Sequence, residues 1–153
     1  MIPKIESLLS TLDEMEADVA CVTETWLLGR HEKVCQDIVD RTRYGLIERN
    51  RQGRRGGGVC ILYNKDHIHM TRCRLLDSGS NFEVVAAIGR RTRQRRKTLV
   101  ISAYLPPKYT PEQNKNFLNY LCDCILTLKN RYSDPYIIIG GCLLYTSPSP
   151  RDS

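Results

Sequence analysis

The spacing of apolar residues predicts helices in three parts of the chain. Within residues 4–15 the apolar side chains recur three or four positions apart, as on one face of a helix. They are Ile5, Leu8, Leu9, Leu12 and Met15. The same spacing follows Thr110-Pro111, where a capping hydroxyl and a proline are typical of a helix start. The apolar stripe of that helix comprises Phe117, Leu118, Leu121, Ile125 and Leu128. A shorter helix is predicted at residues 32–40.

Short apolar or alternating runs predict strands elsewhere. They cover residues 18–24, 44–50, 59–64, 70–76, 82–89, 98–104 and 136–139. The first is interpreted as a buried strand and the last is wholly apolar, and residues 90–97 form a hairpin tip between two strands. Strands outnumber helices, and tight turns join many neighbouring strands. The pattern therefore favours an α/β (α+β) fold in which two sheets pack face to face with helices outside.

Basic residues are clustered along the chain, whose formal net charge is +6. Residues 41–55 hold six arginines against one glutamate, and residues 89–97 hold six cations in nine positions. Such blocks attract polyanions, although they are also common in solvated loop tips. Charge alone leaves both interpretations open. Under the first, the candidate nucleic-acid contacts are Arg54, Arg55, Arg90 and Arg91.

The sequence contains neither an apolar run long enough for a membrane span nor the layout of a signal peptide. Its seven cysteines are odd in number and form no CxxC pair, which favours reduced thiols in the core. We therefore expect a nuclear or cytoplasmic, intracellular protein without a membrane partner.

Glu24 is the first candidate for chemistry. It ends the predicted strand 18–24, and strand ends are positions where a sheet can hold a reactive group rigidly. A hard cation such as Mg²⁺ is typically bound by one or two carboxylates together with phosphate oxygens and water. Taken alone, however, a glutamate after a strand is more often a surface residue.

Four motifs in order resemble the endonuclease/exonuclease/phosphatase family, and most closely the apurinic-type endonucleases of non-LTR (LINE-type) retrotransposons. The resemblance covers residues 1–141. The motifs are Thr23-Glu24-Thr25-Trp26, Arg55-Gly56-Gly57-Gly58, Tyr104-Leu105-Pro106-Pro107 and the apolar residues 136–139 before Gly140-Gly141.

The resemblance implies a four-layer sandwich and the hydrolysis of DNA phosphodiesters with Mg²⁺, or with Mn²⁺ as an alternative. It gives Glu24 the role of a catalytic metal ligand and Tyr104 that of a catalytic hydrogen-bond donor to the scissile phosphate. From the residues alone, packing of Tyr104 on Pro106 and Pro107 is the favoured interpretation, and the resemblance reverses that preference. In a retrotransposon the nick would prime reverse transcription, so a downstream reverse transcriptase domain is the expected neighbour.

The family pattern breaks after Gly141. The family continues with Gly-Asp-Phe-Asn, whereas this chain continues with Cys142-Leu143-Leu144-Tyr145. Residues 142–153 can be encoded by a sequencing-library adapter, so we predict a partial endonuclease/exonuclease/phosphatase domain at 1–141 and a non-native or disordered tail at 142–153. A strand that precedes the first helix in the family is also missing. The fold is thus expected to be incomplete at both ends, and the chain as written to be inactive and prone to aggregate. The alternatives are a pseudogene fragment, a basic nucleic-acid-binding module, or another phosphodiesterase or lipid phosphatase of the same fold.

Overall fold

A computed structural model describes residues 2–25, 29–49, 57–76 and 82–143. Trp26 of the first motif, the candidate contacts Arg54 and Arg55, and residues 144–153 of the predicted tail lie outside these ranges. The elements are α1 (Ile2–Glu14), β1 (Val19–Thr23), α2 (Gly29–Asp40), β2 (Tyr44–Arg49), β3 (Val59–Asn64), β4 (Ile68–Arg72), β5 (Glu83–Arg91), β6 (Thr98–Tyr104), α3 (Pro111–Arg131) and β7 (Tyr136–Cys142).

The described strands form two sheets. The N-terminal sheet has the order β1-β3-β2 and is antiparallel throughout. The C-terminal sheet has the order β4-β5-β6-β7, and only its β6–β7 pair is parallel. Helix α3 connects these two strands, because a parallel pair needs a long crossover.

Three apolar clusters separate four layers and confirm the predicted α/β sandwich. One cluster packs α1 and α2 against the N-terminal sheet, and another packs α3 against the C-terminal sheet. The third, which we call the inter-sheet layer, lies where the two sheets face each other. Its buried members are Val59, Ile61, Ile68, Met70, Val85, Ala87, Val100 and Tyr104.

Helix α3 begins as predicted. The Thr110 hydroxyl accepts a hydrogen bond from the Gln113 backbone N–H at 3.2 Å, and the Gln113 side chain accepts one from the Thr110 N–H at 2.8 Å. This reciprocal capping box satisfies two N–H groups that a helix start leaves without partners, and Pro111 occupies the first turn.

Other predicted boundaries shift. Strand β4 ends at Arg72 instead of residue 76, and α2 begins at Gly29 instead of residue 32. Two residues assigned to apolar stripes are exposed. Met15 lies beyond the end of α1, and Leu118 is turned away from the core because the buried Phe117 precedes it on the helix.

The predicted burial of the first strand is wrong, and the wholly apolar last strand of the described part is exposed. Every residue of β1 is only half-buried, and Tyr136, Ile137, Ile138 and Ile139 of β7 are all exposed. The reason is topological, since both strands are edges of their sheets in the described part of the chain. These edges lie side by side. A Cβ atom added at Gly140 would approach the Cys21 Cβ to 2.6 Å, so only glycine allows this contact.

In the described ranges, no helix combines the length and the apolar character needed to cross a membrane. All seven cysteines are free thiols, four of them buried, in agreement with the predicted core thiols.

The burial of β3 predicts unequal cysteine reactivity. Burial, with a smaller contribution from Glu48, raises the pKa of the Cys60 thiol to about 12. At pH 8 about one such thiol in ten thousand is ionised, and the thiolate is the reactive form. With iodoacetamide at pH 8, we expect mass spectrometry to find Cys122 alkylated and Cys60 unmodified until urea unfolds the chain. Equal alkylation rates for these two cysteines would show that β3 is not buried in the centre of the N-terminal sheet.

Candidate active site

The two residues that sequence reasoning assigned to catalysis are in direct contact. The Tyr104 hydroxyl donates a hydrogen bond to the Glu24 Oε1 at 2.6 Å, although 80 residues separate the two in the chain. Glu24 directly follows β1 of the N-terminal sheet, and Tyr104 is the last residue of β6 in the C-terminal sheet. The hydrogen bond therefore joins the two sheets at one end of the inter-sheet layer. Tyr104 is buried there, whereas Glu24 is exposed.

The backbone at Glu24 adopts an unusual conformation. Its φ is 53°, in the left-handed region that residues with a Cβ atom rarely occupy. The next residue, Thr25, donates its N–H to the Gly58 carbonyl at 3.3 Å. Strain of this kind costs about 1–3 kcal/mol and is often found at functional sites. Here it turns the chain at the end of β1, where the Glu24 carboxylate meets Tyr104.

Gly58, the last residue of the Arg55-Gly56-Gly57-Gly58 motif, supports this geometry. Its φ is 89°, and a Cβ atom at this position would collide with the Thr25 hydroxyl. The glycine motif therefore contributes more than a hairpin turn. It lets β3 start close enough to Thr25 to fix the residue that follows Glu24.

A second carboxylate, which sequence reasoning missed, holds the same turn. Glu83 is 5% exposed, and its Oε1 accepts a hydrogen bond from the Gly58 N–H at 2.6 Å. Glu83 is also paired directly with Tyr104 across β5 and β6. The signal in the sequence was a single glutamate at the start of an apolar strand. A buried carboxylate in such a place requires hydrogen-bond partners.

The environment of Tyr104 keeps its hydroxyl protonated. Burial raises its pKa to about 12, and the hydrogen bond to Glu24 and the negative charges of Glu24 and Glu83 act in the same direction. At neutral pH the phenol is therefore a hydrogen-bond donor and does not serve as a base. A donor placed at an exposed carboxylate can also reach an anionic group that binds there.

Glu24 fits the role of a cation ligand in part. It is exposed, and Tyr104 occupies only one of its two carboxylate oxygens. Within the ranges that the structure describes, no group of three or more His, Cys, Asp or Glu residues could hold a metal ion. A bound Mg²⁺ would therefore take one ligand from Glu24 and the others from phosphate oxygens, water and groups outside these ranges.

The structure does not bring Arg90 and Arg91 to this site. They lie at the end of β5 opposite Glu83, and eight residue steps along a strand correspond to about 25 Å. Other basic side chains are closer to the Glu83 end of the sheet. The Arg49 guanidinium donates to the Val84 carbonyl at 3.3 Å. Together with Arg72, it lines a cavity of about 290 Å³.

Comparison with solved structures identifies the fold. ANGEL2, a 2′,3′-cyclic phosphatase, superposes with a TM-score of 0.69 over 97% of this chain and 45% of its own, at 14% sequence identity. The human Nocturnin catalytic domain matches with a TM-score of 0.65 over 93% of this chain and 56% of its own, at 14% identity. TDP2 from D. rerio, in complex with a single-stranded DNA product, matches with a TM-score of 0.62 over 93% of this chain and 54% of its own, at 16% identity.

These similarities confirm the predicted fold class, an α/β sandwich of two facing, mostly antiparallel sheets with outer helices. The chain spans about half the length of the structures it matches. No protein-family model matches the sequence, and no curated protein matches it significantly. At these identities the similarity establishes the architecture, and the chemistry has to be argued from Glu24, Tyr104 and Glu83.

The strained backbone at Glu24 leads to a stability prediction. Glycine relieves left-handed strain, whereas alanine retains it, and both remove the carboxylate. We therefore expect Glu24→Gly to unfold with a free energy about 1 kcal/mol higher than Glu24→Ala in urea titrations. The control is Lys115, an exposed residue of α3, where glycine should be about 1 kcal/mol less stable than alanine. The same order at both positions would contradict a left-handed Glu24.

The contact between Glu83 and Gly58 leads to a second prediction. Hydrogen bonds to charged groups contribute about 1.5–3 kcal/mol, and neutral ones about 1 kcal/mol. Glu83→Ala should therefore lower the free energy of unfolding by about 2 kcal/mol and Glu83→Gln by about half as much. Glu6→Ala, at an exposed position of α1, is the matched control and should change it by less than about 0.5 kcal/mol. If Glu83→Ala is as harmless as Glu6→Ala, the carboxylate does not hold the glycine turn.

Proposed function

We propose that this chain is part of a nuclease domain that hydrolyses DNA phosphodiesters with the help of a divalent cation. The observation that carries the proposal is the hydrogen bond from Tyr104 to Glu24 at the end of the inter-sheet layer. It pairs a protonated donor with an exposed carboxylate, a combination suited to an anionic substrate that binds together with a cation.

The two side chains have separable roles in such a reaction. Glu24 offers a carboxylate oxygen to the cation, and Tyr104 offers its proton. When a phosphodiester binds, the Tyr104 hydroxyl can donate to a phosphoryl oxygen in place of Glu24, at the stage when negative charge builds on that oxygen. A bound Mg²⁺, or Mn²⁺ in its place, would neutralise phosphate charge and increase the acidity of bound water.

The DNA substrate and the retrotransposon setting are the finer part of the proposal. Support comes from the Thr23-Glu24-Thr25-Trp26 motif and from the net charge of +6, which favours a polyanionic substrate. A nicked target strand would expose a 3′-hydroxyl for a reverse transcriptase domain encoded downstream. The single-stranded DNA product in the TDP2 structure shows that a protein of this fold can bind DNA.

Plasmid nicking tests the proposal. The source DNA is amplified across the codon for Gly141, and the domain that it encodes is incubated with supercoiled plasmid and Mg²⁺. We expect nicking that chelation abolishes, with a loss of at least about 10²-fold for Tyr104→Phe and for Glu24→Ala, because each removes a group that acts in the transition state. The controls are Tyr136→Phe and Glu6→Ala, which change exposed residues of the same types.

The results of this assay decide the role of Glu24 and the class of phosphodiester that is cleaved. Nicking by Glu24→Ala at the rate of Glu6→Ala would remove Glu24 from the site. Hydrolysis of a 2′,3′-cyclic nucleotide without plasmid nicking would assign a different phosphodiester substrate to the same residues. The 153-residue chain is assayed alongside, and we expect no nicking from it because it lacks the Gly-Asp-Phe-Asn motif.

A further inference from the structure

The end of the sandwich farthest from Glu24 carries a basic cavity, which we call the far-end cavity. It lies where the β5–β6 hairpin meets the C-terminal end of α3, and its volume is about 240 Å³. Five of its seven lining residues are cations, and none is a carboxylate. The lining residues are Arg90, Arg95, Arg96, Lys97, Arg131, Tyr132 and Ser133.

Three of these cations have neither a carboxylate partner nor a hydrogen bond to a backbone carbonyl among the residues described. Arg96 forms an ion pair with Asp134 at 3.0 Å, and its guanidinium lies 4.3 Å from the centre of the Tyr136 ring. Arg90, Arg95 and Lys97 form no ion pair with any carboxylate in the described ranges. Their charges repel one another across the cavity, so an anion bound there would be stabilised by all three.

Hydrogen bonds to backbone carbonyls hold two of the arginines that line the cavity. The Arg96 Nε donates to the Asp134 carbonyl at 2.8 Å, and the Arg131 Nη1 donates to the Arg74 carbonyl at 3.1 Å. The Lys97 carbonyl accepts the Tyr136 N–H at 2.9 Å, which ties the hairpin to the start of β7. Arginines held in this way lose less conformational entropy on binding an anion than those of a flexible loop.

We propose that the far-end cavity is a second nucleic-acid site, which binds phosphodiester backbone separately from the site at Glu24 and Tyr104. Arginine and lysine clusters bind nucleic acids mainly through phosphate oxygens, without reading the sequence. Strand β6 runs from one site to the other, and its seven residues place them about 20 Å apart at opposite ends of the sheet. The far-end cavity therefore binds a segment other than the one that contains the scissile phosphate. This inference does not rest on the proposed nuclease activity.

Binding of labelled DNA tests this site on the chain itself. The probes are a fluorescein-labelled 20-nucleotide strand and the corresponding duplex, followed by fluorescence anisotropy from 50 to 200 mM NaCl. The variant Arg90→Gln/Arg95→Gln/Lys97→Gln removes three of the four lining cations that lack carboxylate partners. Its matched control, Lys4→Gln/Lys33→Gln/Lys115→Gln, removes the same net charge from exposed positions of α1, α2 and α3.

We expect the cavity variant to bind at least about tenfold more weakly than the unmodified chain. The slope of the logarithm of the binding constant against the logarithm of the salt concentration should become shallower. The change is about 0.9 for each lost contact with a duplex, or about 0.7 for each lost contact with a single strand. The control should lose less than about threefold with either probe. A loss seen with only one probe identifies which form of nucleic acid the cavity binds.

Equal losses in the cavity variant and the control would show that only net charge matters and would overturn the proposal, as would the absence of binding by the unmodified chain at 50 mM NaCl. Circular dichroism checks that the variants fold. If the triple variant does not fold, Arg95→Gln alone at the exposed hairpin tip replaces it, compared with Lys115→Gln, and the two are expected to differ in salt slope by at least about 0.7.

Discussion

The apolar layer between the two sheets is the constraint on which the rest of the structure depends. Its members are almost completely buried, and each side chain of this size contributes about 1.5–3 kcal/mol. A single hydrogen bond such as that between Tyr104 and Glu24 contributes about 1 kcal/mol. The layer therefore sets the position of the sheets, and the polar contacts form where it ends. At that end the inward-facing position of β5 is Glu83 and that of β6 is Tyr104, and both polar side chains have hydrogen-bond partners.

The elements that the sequence predicted are those whose signals are local. The helix start at Thr110-Pro111 involves residues close together in the chain, and it forms as expected. The contact between Glu24 and Tyr104 joins two sheets, so spacing along the chain contains no information about it. The family motifs named both residues but not their hydrogen bond. Glu83 was missed because a glutamate in a sequence is normally taken as a surface residue, and only the stacking of the sheets buries it.

Burial was the property that the sequence predicted least well. The four residues from Tyr136 to Ile139 are bulky and apolar, which is typical of a strand covered on both faces. In the structure this strand is an edge, and all four side chains are exposed. Whether an apolar strand is covered depends on its neighbours in the sheet, and the strand's own sequence does not specify them.

The sequence also did not predict the different surroundings of two adjacent arginines. Sequence reasoning treated Arg90 and Arg91 alike, as basic residues of one loop. Both belong to β5, however, and successive side chains of a strand point to opposite faces. Arg91 forms an ion pair with Asp18 at 3.0 Å, next to the N-terminal sheet, whereas Arg90 lines the far-end cavity beside α3. One of the two charges is thus neutralised within the fold, while the other is available to an anion.

The close approach of Cys21 and Gly140 has a consequence for the order in which the chain assembles during synthesis. About 120 residues separate the two, and ribosomes add roughly 5–20 residues per second, so β1 emerges roughly 6–24 s before the strand that packs beside it. The N-terminal sheet pairs strands that are close in sequence and can form early, but the flank of β1 stays uncovered during this interval. Strand β7 therefore completes a surface that β1 has already presented to the ribosome exit and to any chaperone bound there.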